Sequence, residues 1–247
     1  MLDGVEVPGA ERDLANALNR IAELQGAVSA RDRFIAAVGH ELRNVMSPLA
    51  LLAESFTSPP EAAIFERRMQ MLSRNLQRLT STLDRVGEVA QLRSEKLALT
   101  PEPVELSALV REVVAELGAE ADAAGVQLHV EARTDVTGSW DRRRLRQIVS
   151  HLVANAIRHS GGGPVQIALT AADGHAVLAV ADRGRGIEAG RRPHLFDAFD
   201  VADTRTKGGL GVGLWVVRTL CQHLGGAVSL VDDHAPGACF RVVLPRV

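Results

Sequence analysis

Aromatic residues and cysteines are scarce in this chain of 247 residues, which has six Phe, two Trp and no Tyr. Its core must therefore be built from Leu, Val, Ile and Ala, a composition that suits long packed helices and aliphatic sheets. The two cysteines, Cys221 and Cys239, are too few for a disulfide framework or a Cys-rich zinc site. This usage of cysteine indicates a reducing, cytoplasmic environment.

An excess of charge of one sign and a long apolar run are also absent. The 28 basic and 30 acidic residues leave a net charge of -2, which gives no bulk attraction to nucleic acid or an anionic membrane. The longest stretch without a charged residue, 159–172, contains three glycines and Pro164, whereas a membrane-spanning helix needs about 20 apolar residues. The basic cluster at 142–146 has no interleaved aromatic and is best interpreted as a solvated helix face. We expect no membrane span in this chain and no nucleic-acid partner.

A heptad pattern fills the first part of the chain. Apolar residues recur every seven positions from Leu14 to Phe56, and a companion series three residues later is broken only by Arg31. This spacing indicates a coiled coil or helical-bundle seam. Pro48 is expected to bend the helix without ending it, and the segment 57–60 to end it before a second amphipathic helix.

Two apolar stripes of this length cannot be covered by one helical hairpin. We therefore expect a homodimer in which two hairpins form a four-helix bundle. The alternative is an intramolecular bundle with later helices. It is disfavoured because the chain changes character at a predicted linker, residues 100–103, beyond which helical and strand patterns alternate.

The rest of the chain reads as an α/β or α+β domain. Its periodicity predicts helices over 106–124, 141–159 and 210–224, and strands over 126–131, 165–170, 176–181, 227–231 and 239–244. The predicted fold class is therefore α+β, with a two-helix hairpin that dimerises into a four-helix bundle followed by an α/β domain.

One histidine of the first helix has the surroundings of a nucleophile. His40 falls at heptad position f, away from the seam, with Glu41 adjacent and Asn44 one turn further on the same side. A nucleophilic imidazole needs a carboxylate to orient it or take its proton, and access for its partner. A zinc helix of the type His-Glu-x-x-His is excluded because the fifth residue is Asn44. The alternative is an ordinary exposed histidine.

Three signals in the second part point to phosphate chemistry. Segment 182–187 places a carboxylate and two glycines after a predicted strand. Segment 208–214 is a glycine-rich entry to a helix, whose N-terminal amides attract phosphate oxygens. Asn155 offers an amide oxygen that could ligate Mg²⁺. The P-loop sequence is absent, and the glycine spacing does not satisfy the dinucleotide-binding pattern.

Taken together and in this order, the segments resemble the H, N, G1, F and G2 boxes of bacterial two-component sensor histidine kinases. They lie at 34–44, 147–160, 182–187, 196–199 and 208–214. The resemblance covers about residues 30–244. It implies an N-terminal coiled-coil extension over 1–30, a dimerisation and histidine phosphotransfer domain over 31–98, and an α/β sandwich ATP-binding domain (Bergerat type) over 104–247.

By this resemblance, His40 would accept the γ-phosphate of ATP, Glu41 would orient the ring and accept its proton, and Asn44 would position a water for dephosphorylating the partner. Asn155 would hold Mg²⁺, Arg158 would contact phosphates, Asp182 would bind the adenine amino group, and 200–209 would be a lid. The partner would be the receiver domain of a response regulator. The implied nucleotide-binding set is Asn155, Arg158, His159, Asp182, Gly184, Gly186, Ile187, Gly209, Gly211, Gly213 and Leu214.

The chain departs from the family pattern at several positions. Val45 stands where the H box usually has Pro, His151 replaces the first Asn of the N box, and Ala235 replaces a glycine of the last glycine motif. In ATP-hydrolysing relatives, a Glu that acts as the base stands where this chain has His151. This difference disfavours an ATP-driven conformational machine. The expected function is an ATP-dependent protein-histidine kinase. The alternative is a degenerate nucleotide-binding dimeric scaffold that regulates a partner without phosphotransfer.

Overall fold

Two long helices begin the chain, α1 over Pro8–Glu54 and α2 over Ala62–Arg93. The structure is a computed structural model and describes residues 8–55, 62–93, 98–132, 135–197, 211–232, 234 and 236–246. Its contacts divide the chain into two units, Met1–Thr82 and Leu83–Val247, so the last turns of α2 belong with the second unit. None of the described helices is both long enough and apolar enough to cross a membrane.

In the first unit, α1 continues through Pro48, as the heptad pattern predicts. The apolar seam is partly covered, because Val45 and Leu52 are buried, whereas Leu14 and Ile35 are each 60% exposed in the single chain. Arg68 Nη1 on α2 donates a 2.5 Å hydrogen bond to the carbonyl of Ser55, just beyond the end of α1. The predicted helix stop at 57–60 lies outside the described residues. The exposed part of the seam is the surface that the predicted dimer would cover.

The second unit contains two sheets. A five-stranded sheet has the order β2-β4-β5-β7-β6, with β2 parallel to β4 and the other pairs antiparallel. A separate antiparallel pair joins β1 to β3. The strands are β1 Glu102–Glu105, β2 Leu128–Ala132, β3 Thr137–Trp140, β4 Val165–Ala172, β5 His175–Ala181, β6 Ala227–Leu230 and β7 Cys239–Pro245.

The helices of the second unit are α3 Leu106–Glu116, α4 Gly118–Ala123, α5 Arg142–His159 and α6 Gly213–His223, with a short 3-10 helix at Ala189–His194. Three of these helices pack on strands of the five-stranded sheet: α3 contacts β2, α5 contacts β4 and β5, and α6 contacts β6 and β7. Alternate residues Val165, Ile167 and Leu169 of β4 are fully buried. The helices thus form one layer and the sheet the other, which is the α/β sandwich that the resemblance implies.

Two local predictions were wrong. The predicted linker 100–103 overlaps β1, which pairs with the unpredicted β3; both strands are short, so neither shows a clear alternation of apolar residues. The helix predicted over 106–124 is interrupted at Leu117, and α4 starts at Gly118, consistent with the low helix propensity of glycine. The β4–β5 hairpin matches its prediction, with Asp173 and Gly174 both at positive φ as its tight turn requires.

Candidate functional site

The predicted phosphate acceptor lies on the outer surface of α1. His40 and Asn44 are exposed and Glu41 is half-buried, in agreement with heptad position f for the imidazole. No hydrogen bond joins His40 to Glu41 in the structure, although both residues are described. Consecutive helix residues point about 100° apart, so the side chains of His40 and Glu41 are neighbours that do not face each other directly. The imidazole is accessible, and its assistance by Glu41 stays a prediction.

Asp182 follows β5 directly and is held in place by backbone amides. It is 3% exposed, and its Oδ1 accepts hydrogen bonds from the amides of Gly184 at 2.8 Å and Ala238 at 3.3 Å. Its own amide donates to the carbonyl of Ala238 at 2.9 Å. Among the described residues both bonds to the carboxylate end on Oδ1, which leaves Oδ2 as the oxygen that a ligand could contact.

Glycines allow three chain segments to meet around Asp182. A Cβ on Gly184 would lie 1.9 Å from the carbonyl oxygen of His159, and a Cβ on Gly237 would lie 1.9 Å from the carbonyl oxygen of Asp182. Gly186 has a φ of +71° and faces the Gly237 carbonyl. These positions require glycine because a side chain would overlap backbone atoms. The structure thus brings the predicted residues Asp182, Gly184, Gly186 and His159 together.

Helix α5 carries the predicted metal ligand. Its N-terminus is capped by Asp141, whose Oδ1 accepts from the Arg144 amide and whose Oδ2 accepts from the Thr100 amide, both at 3.0 Å. Asn155 is half-buried, and its side chain makes no hydrogen bond within the described residues. Arg158 and His159, in the last turn, are also half-buried. No group of three or more His, Cys, Asp and Glu side chains in the described part could hold a metal, so the Mg²⁺ prediction rests on Asn155.

Helix α6 supplies the other predicted phosphate contacts. It begins at Gly213, later than the predicted 210, and Gly211 precedes it with a φ of +62°. Leu214 in its first turn and Ile187 after the Asp182 turn are half-buried. Helices α5 and α6 contact each other. Gly209 and the predicted lid, 200–209, lie outside the described residues.

The sequence predictions missed a carboxylate that contacts the N-box helix. Glu88, near the end of α2, accepts a hydrogen bond from Gln147 Nε2 at 3.0 Å, and its Oε2 lies 3.0 Å from His151 Nε2. Burial alone would raise the pKa of Glu88, but the bonds to His151 and Gln147 and the nearby positive charges outweigh it and lower the pKa from 4.5. No sequence signal marked Glu88, because its partners are 59 and 63 residues away.

An open cavity of about 300 Å³ lies beside the F box and contains none of the predicted site residues. It is lined by Phe196, Asp197, Trp215, Arg218, Thr219 and Gln222. The ring of Phe196 packs edge-on against Phe240, with centroids 6.2 Å apart. The half-buried ring of Phe196 thus packs on the buried Phe240 and also lines this cavity.

Comparisons with known proteins agree with this geometry. Residues 140–247 match the family of histidine kinase-, DNA gyrase B- and HSP90-like ATPases. Over 242 residues the chain is 29% identical to the sensor histidine kinase MtrB of Mycobacterium leprae, covering 95% of this chain and 43% of MtrB. The chain therefore spans less than half the length of that relative.

Solved structures show the same fold. Full-length ShkA in complex with AMPPNP aligns with a TM-score of 0.66 and 26% identity, over 86% of this chain and 45% of ShkA. The histidine kinase ThkA, solved in complex with the response regulator TrrA, aligns with a TM-score of 0.65 and 19% identity, over 100% of this chain and 68% of ThkA. The similarity to ThkA extends to both helices and the α/β sandwich.

Proposed function

We propose that this chain, which is similar to sensor histidine kinases of two-component systems, is itself such a kinase, binds ATP and transfers the γ-phosphate to its own His40. The observation that carries this proposal is the joint presence of the buried Asp182 turn and of an exposed histidine followed by a carboxylate on α1. Neither feature alone would indicate a kinase. An ATP site without His40 would fit the gyrase-like relatives equally well.

The adenine end of the nucleotide is assigned to the Asp182 turn. Two backbone amides hold Oδ1, so Oδ2 can accept a hydrogen bond from the adenine amino group without a change of side-chain conformation. Gly184 and Gly186 let the carbonyls of His159 and Gly237 pack closely against this turn, and this packing fixes the position of Asp182. A site that is fixed before binding loses less conformational entropy when the ligand arrives.

The phosphate end is assigned to the start of α6 and to α5. The first amides of a helix have no intrahelical acceptor and carry a partial positive charge, which stabilises phosphate oxygens. Arg158 adds a full positive charge. Mg²⁺ commonly binds one or two protein oxygens together with substrate phosphates and waters, and the amide oxygen of Asn155 fits that role. When bound, the metal would neutralise charge on the phosphates.

In the transfer step, a ring nitrogen of His40 attacks the γ-phosphorus while the bond from that phosphorus to the bridging oxygen breaks, and ADP leaves. Glu41 accepts the ring proton, which restores a neutral phosphorylated imidazole. Such a reaction depends mainly on positioning and charge neutralisation. The exposure of His40 is what allows a bulky nucleotide-bearing domain to reach it.

The phosphate would pass on to an aspartate in the receiver domain of a response regulator. This assignment is supported by the fold similarity to ThkA, which was solved with the response regulator TrrA. Asn44 is exposed one turn after His40 and would position the water that removes phosphate from the regulator. A homodimer, joined along the heptad seam of α1 and α2, completes the proposed assembly.

The proposal is tested by incubating the chain with γ-labelled ATP and Mg²⁺. We expect label that is stable in base and lost in acid, because a phosphorylated imidazole hydrolyses under acid. His40→Ala should abolish the label, whereas His223→Ala, which removes an exposed histidine on α6, should retain it. Label that persists in His40→Ala would disprove the assignment. Nucleotide binding without label would favour the scaffold alternative.

A further inference from the structure

A row of polar side chains lies along one face of α5. Arg144, Gln147 and His151 are three and four residues apart, so they follow one another on the same side of the helix. Arg144 Nη1 donates to Gln147 Oε1, Gln147 Nε2 donates to Glu88 Oε1, and Glu88 Oε2 lies against His151 Nε2, each at 3.0 Å. The carboxylate of Glu88 thus binds two donors of the N-box helix with its two oxygens.

The contact fixes which ring nitrogen of His151 carries the proton. A glutamate side chain is ionised at neutral pH, so the carboxylate of Glu88 can only accept hydrogen bonds. His151 Nε2 must therefore be the protonated nitrogen. In the neutral ring Nδ1 is then an acceptor. A carboxylate that orients a histidine in this way is a common means of fixing both tautomer and ring position.

The acceptor nitrogen lies next to the predicted phosphate region. A Cβ built on Gly213, the first residue of α6, would be 3.7 Å from His151 Nδ1. Asn155 follows His151 by one helical turn. Within the described residues Nδ1 has no hydrogen-bond partner, so it can accept from the water shell of a bound Mg²⁺–nucleotide, since Mg²⁺ usually keeps several waters.

We propose that Glu88 is a positioning residue that lets His151 serve in place of an asparagine. The resemblance to the N box places Asn at this position, and a carboxamide oxygen is an acceptor two bonds beyond Cβ, as Nδ1 of a histidine is. The imidazole reproduces that acceptor only as the Nε2–H tautomer, which Glu88 imposes. This inference rests on the proposed nucleotide site and assigns Glu88, outside the N box, to it.

The variant that tests this role of Glu88 is Glu88→Gln. A glutamine has one acceptor oxygen and one donor amide, so it cannot accept from both Gln147 and His151. Its NH₂ group would donate to Nε2 of His151, and the ring would change to the Nδ1–H form. The acceptor toward α6 would then be lost. Asp84→Asn is the control, because it removes the same charge from an exposed position one turn earlier on α2.

Two measurements on the full chain test the proposal. The first is the ¹⁵N NMR signature of the neutral His151 ring, which distinguishes the tautomers. The second is the affinity for Mg²⁺·AMPPNP. We expect Glu88→Gln to shift the tautomer and to weaken binding roughly 3- to 10-fold, at or below the lower end of the range for residues that orient a metal site. Asp84→Asn should change neither quantity.

A rescue background separates this role from a general effect on folding. In His151→Asn the acceptor is a carboxamide oxygen that needs no fixed tautomer, so adding Glu88→Gln should leave Mg²⁺·AMPPNP affinity unchanged. Equal weakening in both backgrounds, or an Nδ1–H ring in the unmodified chain, would overturn the proposal. The second result requires no variant to fold.

These outcomes are independent of phosphotransfer, because AMPPNP is not a phosphate donor here. Failure to label His40 would remove the kinase proposal and leave the role of Glu88 intact. An unchanged His151 tautomer in Glu88→Gln, together with normal labelling of His40, would refute the role of Glu88 and leave the kinase proposal intact.

Discussion

Replacing Gly184 by alanine should strongly disrupt the nucleotide site. The new Cβ would lie 1.9 Å from the carbonyl oxygen of His159 and 3.0 Å from Asp182 Oδ1. The first distance is more than 1 Å inside normal contact, and the obstacle is backbone, which cannot rotate away. Either the end of α5 or the Asp182 turn must move. Overpacking of this kind costs about 1–3 kcal/mol, and more where the surroundings are rigid.

The assay is thermal unfolding of the full chain together with ATP-analogue affinity. We expect Gly184→Ala to lower the stability of the second unit by about 2–3 kcal/mol and to weaken nucleotide binding at least tenfold, because the amide of Gly184 also holds Asp182. Gly190→Ala is the matched control, since a Cβ there meets nothing within 4 Å. If the two variants were equally stable and bound nucleotide equally well, close packing would not be the reason that position 184 requires glycine.

Three further predictions concern other groups. Asp141→Ala should lower the free energy of unfolding by about 1–2 kcal/mol, because it removes the cap on α5 and the hydrogen bond to the Thr100 amide. Urea unfolding should show a lower midpoint, and Asp141→Asn should recover part of the lost stability. The lowered pKa of Glu88 contributes stability that is complete above its ordinary pKa of 4.5 and is lost as pH falls through the lowered value. In Glu88→Gln, unfolding measured as a function of pH should therefore lack this part of the acid dependence. Burial raises the pKa of Cys221 to about 12, so its alkylation at pH 8 should be roughly a thousandfold slower than that of an unburied thiol; rapid alkylation of the folded chain would contradict its burial.

Long, regular elements could be predicted from the sequence. The heptad of α1 and the alternation of β4 and β5 each repeat a local signal several times, so one atypical residue such as Pro48 or Arg31 does not hide them. Strands β1 and β3 carry no such signal, because each has four residues and is held by its pairing with the other. Their pairing depends on the tertiary fold.

In the candidate site, too, some residues carry a local sequence signal and others are recognisable only from tertiary contacts. Asp182 and the glycines that follow it are marked by their spacing, since backbone approach restricts the residue type to glycine. Glu88 is not marked, because an acidic residue on a long amphipathic helix usually lies in solvent, and nothing near it in the chain indicates Gln147 or His151 as partners. The sequence did identify His151 as unusual, and only the structure supplied the carboxylate that orients it.

Mass spectrometry of the chain after brief exposure to ATP and Mg²⁺, under conditions that keep phosphoramidates intact, tests the central claim most directly. Phosphotransfer predicts one phosphate per modified chain, located on the peptide that contains His40 and absent from an Asp182→Ala variant. Release of free phosphate with no modified peptide, or a phosphate on any other residue, would contradict the account.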